Sequence, residues 1–140
     1  MTDLANRALP NVHDRTVFYV SDGTGITAET FGHSLLAQFE SMKFRQVRLP
    51  FVDSVDKGRD ALYRIDQQGM LDGKRPIVFS TLVNAEINAI VRQANAMFLD
   101  LFSSFVEPLE KEFGSQSTHS IGRSHTVVDS GRYNRRIAAI

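Results

Sequence analysis

The chain has 140 residues, the length of one domain, and its 42% apolar and 23% charged residues are typical of a globular protein. Lys+Arg and Asp+Glu are balanced at 16 each, which disfavours generic nucleic-acid binding, and the absence of Cys excludes disulfides, thiolate zinc sites and a cysteine nucleophile. No apolar run is long enough for a bilayer and the first residues lack the order of a secretory signal, so we expect a cytoplasmic protein without a membrane partner.

The first half of the chain predicts two strands and a helix. Residues 1–14 are polar and contain Pro10, which indicates a flexible tail. Arg15–Val20 is an apolar, β-branched and aromatic run and predicts a buried strand. Apolar residues at steps of three and four predict a helix from Thr27 to about Met42. Val47–Val52 predicts a second strand.

The next segment continues the alternation. Asp56–Gln68 has one apolar face and predicts a helix, with Gly69 at its C′ position. Arg75–Val83 predicts a third strand. Helical spacing then continues to residue 113, with a break or kink expected at Asn95 and at Pro108. Its apolar positions form two stripes: Ile87, Ile90, Val91 and Ala94, then Phe98, Leu101, Phe102, Phe105 and Leu109. The second stripe is interpreted as core or as a partner face.

The last residues are basic. Residues 114–128 are small and polar and predict a long loop. Tyr133, Ile137 and Ile140 have helical spacing, with Asp129 or Ser130 as N-cap. Because the pattern stops at its last residue, we expect a piece of a longer protein. The expected organisation is a tail (1–14), an α/β domain (15–113) and a basic loop with the start of a helix (114–140).

The alternation of strands and helices predicts an α/β fold. Right-handed crossovers make such a sheet parallel, so we expect a three-layer Rossmann-like sheet of successive β-α units, with a C-terminal helical extension. Ligands of these folds bind beyond the carboxyl ends of the strands. The loop after the first strand is therefore the first candidate site.

This loop combines glycines with hydroxyl side chains. We expect it to bind phosphate, because glycines let a ligand approach closely and the first amides of a helix attract an anion. The predicted phosphate-binding residues are Ser21, Asp22, Gly23, Thr24, Gly25 and Thr27. The alternative is a tight turn with a Thr N-cap and no ligand.

The loop fits one of two common nucleotide-binding motifs. Gly23–Ala28 fits the G-x-G-x-x-A dinucleotide fingerprint, and Asp53 is placed at the end of the second strand. The spacing to Asp53 is longer than the usual ~20 residues, and Asp22 would repel a pyrophosphate. The P-loop pattern G-x-x-x-x-G-K-[ST] is absent, since Gly73-Lys74-Arg75 lacks the required glycine and hydroxyl.

A second candidate site lies near the end of the chain. Residues 114–140 have a net charge of +3 and residues 84–113 a net charge of −3. Arg123 and His125 are predicted to contact a phosphate or a partner protein, because Arg offers two parallel donors. The alternative is that these arginines pair with the acidic helices. His119 and His125 have no acidic or Cys neighbour, so no metal site is predicted.

Four segments resemble one known family in sequence and in order. They are Val17–Phe39 (VFYVSDGTGITAETFGHSLLAQF), Leu49–Ser54 (LPFVDS), Arg75–Val83 (RPIVFSTLV) and Gly122–Ile140 (GRSHTVVDSGRYNRRIAAI). They resemble the N-terminal part of the pyruvate, phosphate dikinase / phosphoenolpyruvate synthetase regulatory protein family.

The resemblance implies a bifunctional regulatory enzyme. Such enzymes use ADP to phosphorylate a Thr of the dikinase or the synthetase, and use inorganic phosphate to remove that group, releasing pyrophosphate. It also implies a P-loop in a C-terminal half. We therefore expect this chain alone to be inactive and to bind neither ADP nor phosphate tightly, and no catalytic residue is assigned in it. Mg²⁺ and a homodimer are left open.

Two other functions are left open by the residues. One is a Rossmann-like dinucleotide-binding domain, and the other is a non-catalytic module that binds a phosphoprotein. Neither predicts a nucleic-acid partner.

Overall fold

The computed structural model describes residues 14–118, and strands alternate with helices along them. The elements are β1 (Arg15–Val20), α1 (Ile26–Leu36), β2 (Phe44–Leu49), α2 (Val55–Asp72), β3 (Ile77–Ser80), α3 (Ala85–Val91) and β4 (Met97–Asp100), followed by a π-helical turn (Phe102–Val106) and α4 (Glu107–Phe113). The four strands form one sheet in the order β2-β1-β3-β4, and every neighbouring pair is parallel. The predicted tail up to residue 13 and the predicted helix after residue 128 lie outside the described residues.

Helices cover both faces of the sheet. Alternate residues of β1 face opposite sides of the sheet. Apolar residues on both sides are buried, as expected for a parallel sheet with helices on both faces. On one face Phe18 and Val20 pack with α2 and α3, through residues that include Ile65 and Val91. On the other face, Val17, Tyr19 and Phe79 pack with Ala28 of α1 and with Leu101. This confirms the predicted three-layer Rossmann-like α/β fold with a helical C-terminal extension.

The strand order places a switch point between β1 and β3. From β1 the chain crosses to β2 on one side and later returns to β3 on the other, so the loops leaving β1 and β3 diverge from adjacent strand ends. Val20 and Ser80 are partners in the ladder, and Thr81 N–H donates to Val20 O at 3.0 Å. Doubly wound sheets bind their ligands in the crevice at this point.

β4 corrects the predicted helix between residues 85 and 113. Met97–Asp100 is extended and pairs with β3, with Met97 opposite Ile77 and Asp100 opposite Ser80. Its three consecutive apolar residues fit the spacing of a helix as well as that of a short buried strand, so the pattern alone does not distinguish the two. The break expected at Asn95 is present, since α3 ends at Val91.

Near Pro108 the helical segment is interrupted as predicted, by a change from a π-helical turn to the α-helix that begins at Glu107. Pro108 lies in the first turn of α4, directly after Glu107, whose N–H closes the π-helical turn by donating to Phe102 O. The preceding five residues form the π-helical turn. The second predicted stripe is therefore divided between a strand, a π-helical turn and a helix.

Three predicted boundaries also shift. α1 ends at Leu36 rather than near Met42, and β2 covers Phe44–Leu49 rather than Val47–Val52, because Pro50 cannot donate to the ladder and Phe51 has a φ of 56°. β3 is confined to Ile77–Ser80 within the predicted Arg75–Val83.

Gly69 does not end α2, which continues to Asp72 with Gly73 as its left-handed cap, at φ 72°. A Cβ on Gly69 would lie 2.9 Å from Cδ of Pro76. This glycine therefore permits a close approach of the helix to the start of β3, which a sequence pattern cannot distinguish from a C-terminal cap.

Candidate functional site

The loop after β1 is held against the loop after β2 by backbone hydrogen bonds. Ser21 N–H donates to Leu49 O at 3.2 Å, and Val52 N–H donates to Ser21 O at 2.8 Å. Phe51 N–H donates to Gly23 O at 2.8 Å. These bonds fix residues 21–23 at the carboxyl edge of the sheet, next to the switch point.

Most backbone donors of this loop have no partner. The exceptions are Ser21 N–H, which donates to Leu49 O, and Gly23 N–H, which donates to Oγ of the buried Ser21 at 2.9 Å. Ile26 N–H lies 3.4 Å from Oγ1 of Thr24. Among residues 14–118, no acceptor is found for the amides of Asp22, Thr24, Gly25, Thr27 and Ala28. Unpaired amides at a helix start attract anions.

The two glycines of the loop have different roles. Gly25 is the N-cap of α1, with a left-handed φ of 87° and no side-chain capping bond. Gly23 has no positive φ, and a Cβ there would meet only Oγ of Ser21 at 3.8 Å. The N-cap is therefore Gly25 and not the Thr that the alternative of a ligand-free turn predicted. Only Gly25 has the special backbone conformation.

Arg48 of β2 is a site residue that the sequence did not indicate. Its Nη1 donates to Thr24 O at 3.3 Å, and its Nε lies 3.6 Å from Oε1 of Glu29. The side chain is 43% exposed, so the guanidinium remains accessible to a ligand. A cation thus lies beside the unpaired amides. Its position depends on β2 pairing with β1, which local sequence does not reveal.

The other predicted side chains of the loop differ in exposure. Thr24 is exposed, while Asp22 and Thr27 are half-buried. Asp22 forms no salt bridge within residues 14–118. Arg123 and His125 lie outside the described residues, as does His119.

Asp53 does not close β2, contrary to the prediction, since the strand ends at Leu49. It lies in the following loop, where its Oδ1 pairs with Nζ of Lys57 at 3.0 Å. The usual dinucleotide-binding sheet has the order 3-2-1-4, whereas β3 here lies on the other side of β1. Both observations disfavour the dinucleotide interpretation of the fingerprint.

A polar network supports the same edge of the sheet at β3 and β4. Asp100 is 7% exposed; its Oδ2 accepts from Nδ2 of Asn88 at 3.0 Å and from Nη2 of Arg92 at 3.1 Å. Its Oδ1 accepts from Phe102 N–H at 2.9 Å. Oγ of Ser80 bonds to Oδ1 of Asn88 at 3.2 Å. Both carboxylate oxygens of Asp100 therefore accept hydrogen bonds from protein groups, and this buried side chain links α3 to the ends of β3 and β4.

A cleft of about 400 Å³, lined by residues that include Asp66, Lys74 and Arg75, lies at the amino edge of the sheet, away from the glycine loop. The candidate site is nevertheless the loop at the switch point, because an anion needs hydrogen-bond donors more than it needs a large cleft.

Within residues 14–118, no cluster of three metal-binding side chains occurs, and no helix is both long and apolar enough to cross a membrane.

The fold and the glycine loop define a doubly wound α/β domain with an open helix start at its switch point. Residues 17–140 match the family model described as kinase/pyrophosphorylase, and the chain belongs to that family. This confirms the resemblance seen in the sequence.

Relatives give the same result. The chain is 58% identical over its whole length to a protein of Herminiimonas arsenicoxydans and 60% identical to one of Ralstonia nicotianae, covering 49% and 48% of them. A protein of a Janthinobacterium strain is 63% identical over 90% of the chain and 44% of its own length. All three are named, provisionally, as phosphoenolpyruvate synthase regulatory proteins. The chain thus spans about half the length of these relatives.

Proposed function

We propose that this chain is the N-terminal domain of a bifunctional kinase and pyrophosphorylase that regulates phosphoenolpyruvate synthase. The family and the names of the relatives support this assignment, and the names favour the synthase over the dikinase as partner. In the proposed kinase reaction, a Thr hydroxyl of the partner takes the terminal phosphoryl group of ADP, leaving AMP. In the reverse regulation, inorganic phosphate attacks the phosphothreonine and releases the Thr hydroxyl and pyrophosphate.

Within this scheme, we propose that the loop from Ser21 to Thr27 binds a phosphate group. The observation that carries the proposal is the set of unpaired amides at the start of α1, with the accessible guanidinium of Arg48 beside them. Phosphoryl transfer depends on positioning and charge neutralisation, and this edge of the domain offers both to a phosphate. The side chain of Asp22 would have to turn away from the anion or face a bound cation.

ADP is assigned to the other half of the whole protein. This chain has no P-loop sequence, so none of its residues is proposed to hold the nucleotide. Magnesium would accompany the nucleotide there. The role proposed for this domain is to hold a phosphate and to present the partner's Thr segment, with Arg123 and His125 as contacts to the partner.

The phosphate site can be tested directly on this chain. Titration with inorganic phosphate and pyrophosphate should shift the backbone amide signals of residues 22–28 and leave those of α2 unchanged. Chloride at equal ionic strength is the control for general screening. Absence of shifts at millimolar ligand would contradict the site.

Titration with NAD or FAD tests the dinucleotide-binding alternative. Neither should bind at micromolar concentration, because the strand order and the position of Asp53 outside β2 disfavour a dinucleotide site. A protein-binding module without a phosphate site would bind the synthase equally well after Gly25→Val, a substitution that fills the loop. The proposed function expects that substitution to remove phosphate binding.

The partner contacts need the whole protein. Arg123→Ala should weaken regulation of phosphoenolpyruvate synthase, because it removes a bidentate donor for the phosphorylated or acceptor segment. Arg59→Ala, on the exposed surface of α2, is the control. If Arg123→Ala leaves regulation unchanged, Arg123 does not contact the partner. The phosphate site in the loop is tested separately, by the titration.

A further inference from the structure

The C-terminal helical segment exposes a row of large apolar side chains. Phe105, Leu109 and Phe113 are 51%, 51% and 70% exposed and follow one another at steps of four, which places them on one side; we call them the α4 stripe. At ~200 Å² for each large side chain, they leave on the order of 300 Å² of apolar surface in water, comparable with the largest apolar patch of a typical monomer, which is often functional. The ring of Phe31 lies 5.3 Å from that of Phe105, so the stripe adjoins α1.

The chain turns back on itself at the end of α4. Gly114 is the left-handed cap, with φ 63°, and Ser115 N–H donates to Glu110 O at 3.1 Å. Two residues later, Ser117 N–H donates to Oε2 of Glu110 at 2.9 Å. These bonds reverse the chain direction and hold residues 115–117 against the last turns of α4. Residues 115–117 therefore lie close to α4 at Glu110, which follows Leu109 of the stripe.

The last twelve residues match this surface in length and in pattern. The π-helical turn and α4 have five and seven residues, and residues 129–140 would form a helix of the same length, ~18 Å. Tyr133, Ile137 and Ile140 have helical spacing. The connection from 119 to 128 can span ~33 Å when extended, more than enough to return along α4.

The charges of the two segments are complementary. Between residues 102 and 113 the chain has three Glu and one Lys, and between residues 129 and 140 it has three Arg and one Asp. Opposite net charges favour this pairing over pairing of the surface with a second copy of itself, which would bring its own acidic residues together.

From this match we propose that residues 129–140 pack on the α4 stripe as an amphipathic helix antiparallel to α4. The apolar side chains of the segment would cover the stripe, and its arginines would lie near Glu107, Glu110 and Glu112. This inference does not depend on the proposed function.

Hydrogen exchange of the 140-residue chain tests the proposal. The amides of residues 133–139 should be protected at least tenfold relative to an unstructured peptide of the same sequence, and Leu109→Asp should remove that protection. Leu71→Asp is the matched control, because Leu71 is a 78% exposed leucine on α2, and it should leave the protection unchanged. Phe113→Glu provides a second variant, at the end of α4, should Leu109→Asp disturb the fold as judged by protection of β1.

The reciprocal variant completes the design. Ile137→Asp should expose the stripe, seen as faster exchange at residues 109–113, and should add little to Leu109→Asp in the double variant. Unprotected residues 133–139 in the unmodified chain would overturn the proposal. Protection of residues 133–139 that persists in both Leu109→Asp and Phe113→Glu would also overturn it. Protection that appears only as the concentration rises, with dimers in sedimentation, would assign the stripe to a second copy and equally overturn it.

Discussion

Arg48 lies across Gly25 so closely that a Cβ on residue 25 would be 2.9 Å from both Cγ and Cδ of the arginine. The glycine therefore does two things at once. It adopts the left-handed conformation that begins α1, and it leaves room for a cation to reach the loop.

Gly25→Ala should therefore destabilise the protein by ~1–2 kcal/mol, the cost of a left-handed conformation for a residue with a Cβ. It should also displace Arg48. Gly23→Ala is the control within the same loop, because residue 23 has no positive φ and has room for a methyl group. Urea unfolding of the two variants checks this difference, and equal stabilities would show that the loop does not have the described backbone.

Arg48→Met should weaken binding of phosphate to the loop about three- to tenfold. This corresponds to loss of one charged hydrogen bond, ~1 kcal/mol, at an accessible position. The methionine keeps the aliphatic contact with Gly25 and removes the charge. Arg59→Met on α2 is the control, since Arg59 also pairs with a carboxylate but lies away from the loop. The affinities can be measured by amide-shift titration, and equal affinities would remove Arg48 from the site.

Gly32→Ala should destabilise the fold although it places a better helix former in α1. The helix propensity gained is ~1 kcal/mol, whereas overpacking typically costs 1–3 kcal/mol. The added methyl would overlap Cε1 of Tyr19 and lie 3.1 Å from Cδ2 of Phe79, two buried rings with no room to move. Ser34→Ala, on the exposed side of the same helix, should be nearly neutral. A stabilised Gly32→Ala variant would mean that α1 packs less closely on the sheet.

The fold was predictable where the local pattern had one interpretation. β1 is a continuous apolar run that ends at a glycine loop, and both were found at the predicted position. β4 does not follow from the pattern, because its three consecutive apolar residues fit a helix and a strand equally well, and its pairing with β3 involves residues about 20 positions apart.

The candidate site shows the same limit. The sequence pointed to the loop from Ser21 to Thr27 through its glycines and hydroxyls. It could not point to Arg48, whose contact with Gly25 depends on β2 lying beside β1. Long-range neighbours of this kind follow from strand order, which no local pattern encodes.

Asp100→Ala should cost about 2 kcal/mol, because it removes a buried carboxylate that accepts hydrogen bonds from Nδ2 of Asn88 and from Phe102 N–H, both of which are only partly exposed. Arg92 also loses its partner but is half exposed and can be solvated. Asp56→Ala, which removes a fully exposed ion pair on α2, should leave the stability unchanged within error. Equal free energies of unfolding for the two variants would show that the network at β3 and β4 contributes no stability.

Tyr19 should make the protein less stable in alkali. Burial first, and then the nearby Glu29 carboxylate, raise the pKa of Tyr19 to about 12. The buried neutral hydroxyl bonds to Oε1 of Gln46. Below the unfolded pKa of ~10 the group is protonated in both states, and its contribution to stability is fully present. As the pH rises from ~10 towards 12, the unfolded chain loses this proton first. The free energy of unfolding should then fall, by on the order of 2 kcal/mol in total.

Tyr19→Phe should reduce this decline, because phenylalanine has no proton to lose. Tyr63→Phe is the control, since Tyr63 is 62% exposed and should leave the pH dependence as in the unmodified chain. Urea unfolding at pH 9 and pH 11 measures the difference for each variant. If the decline between these pH values is the same in Tyr19→Phe as in the unmodified chain, the hydroxyl of Tyr19 titrates as it would in water and is not buried under α1.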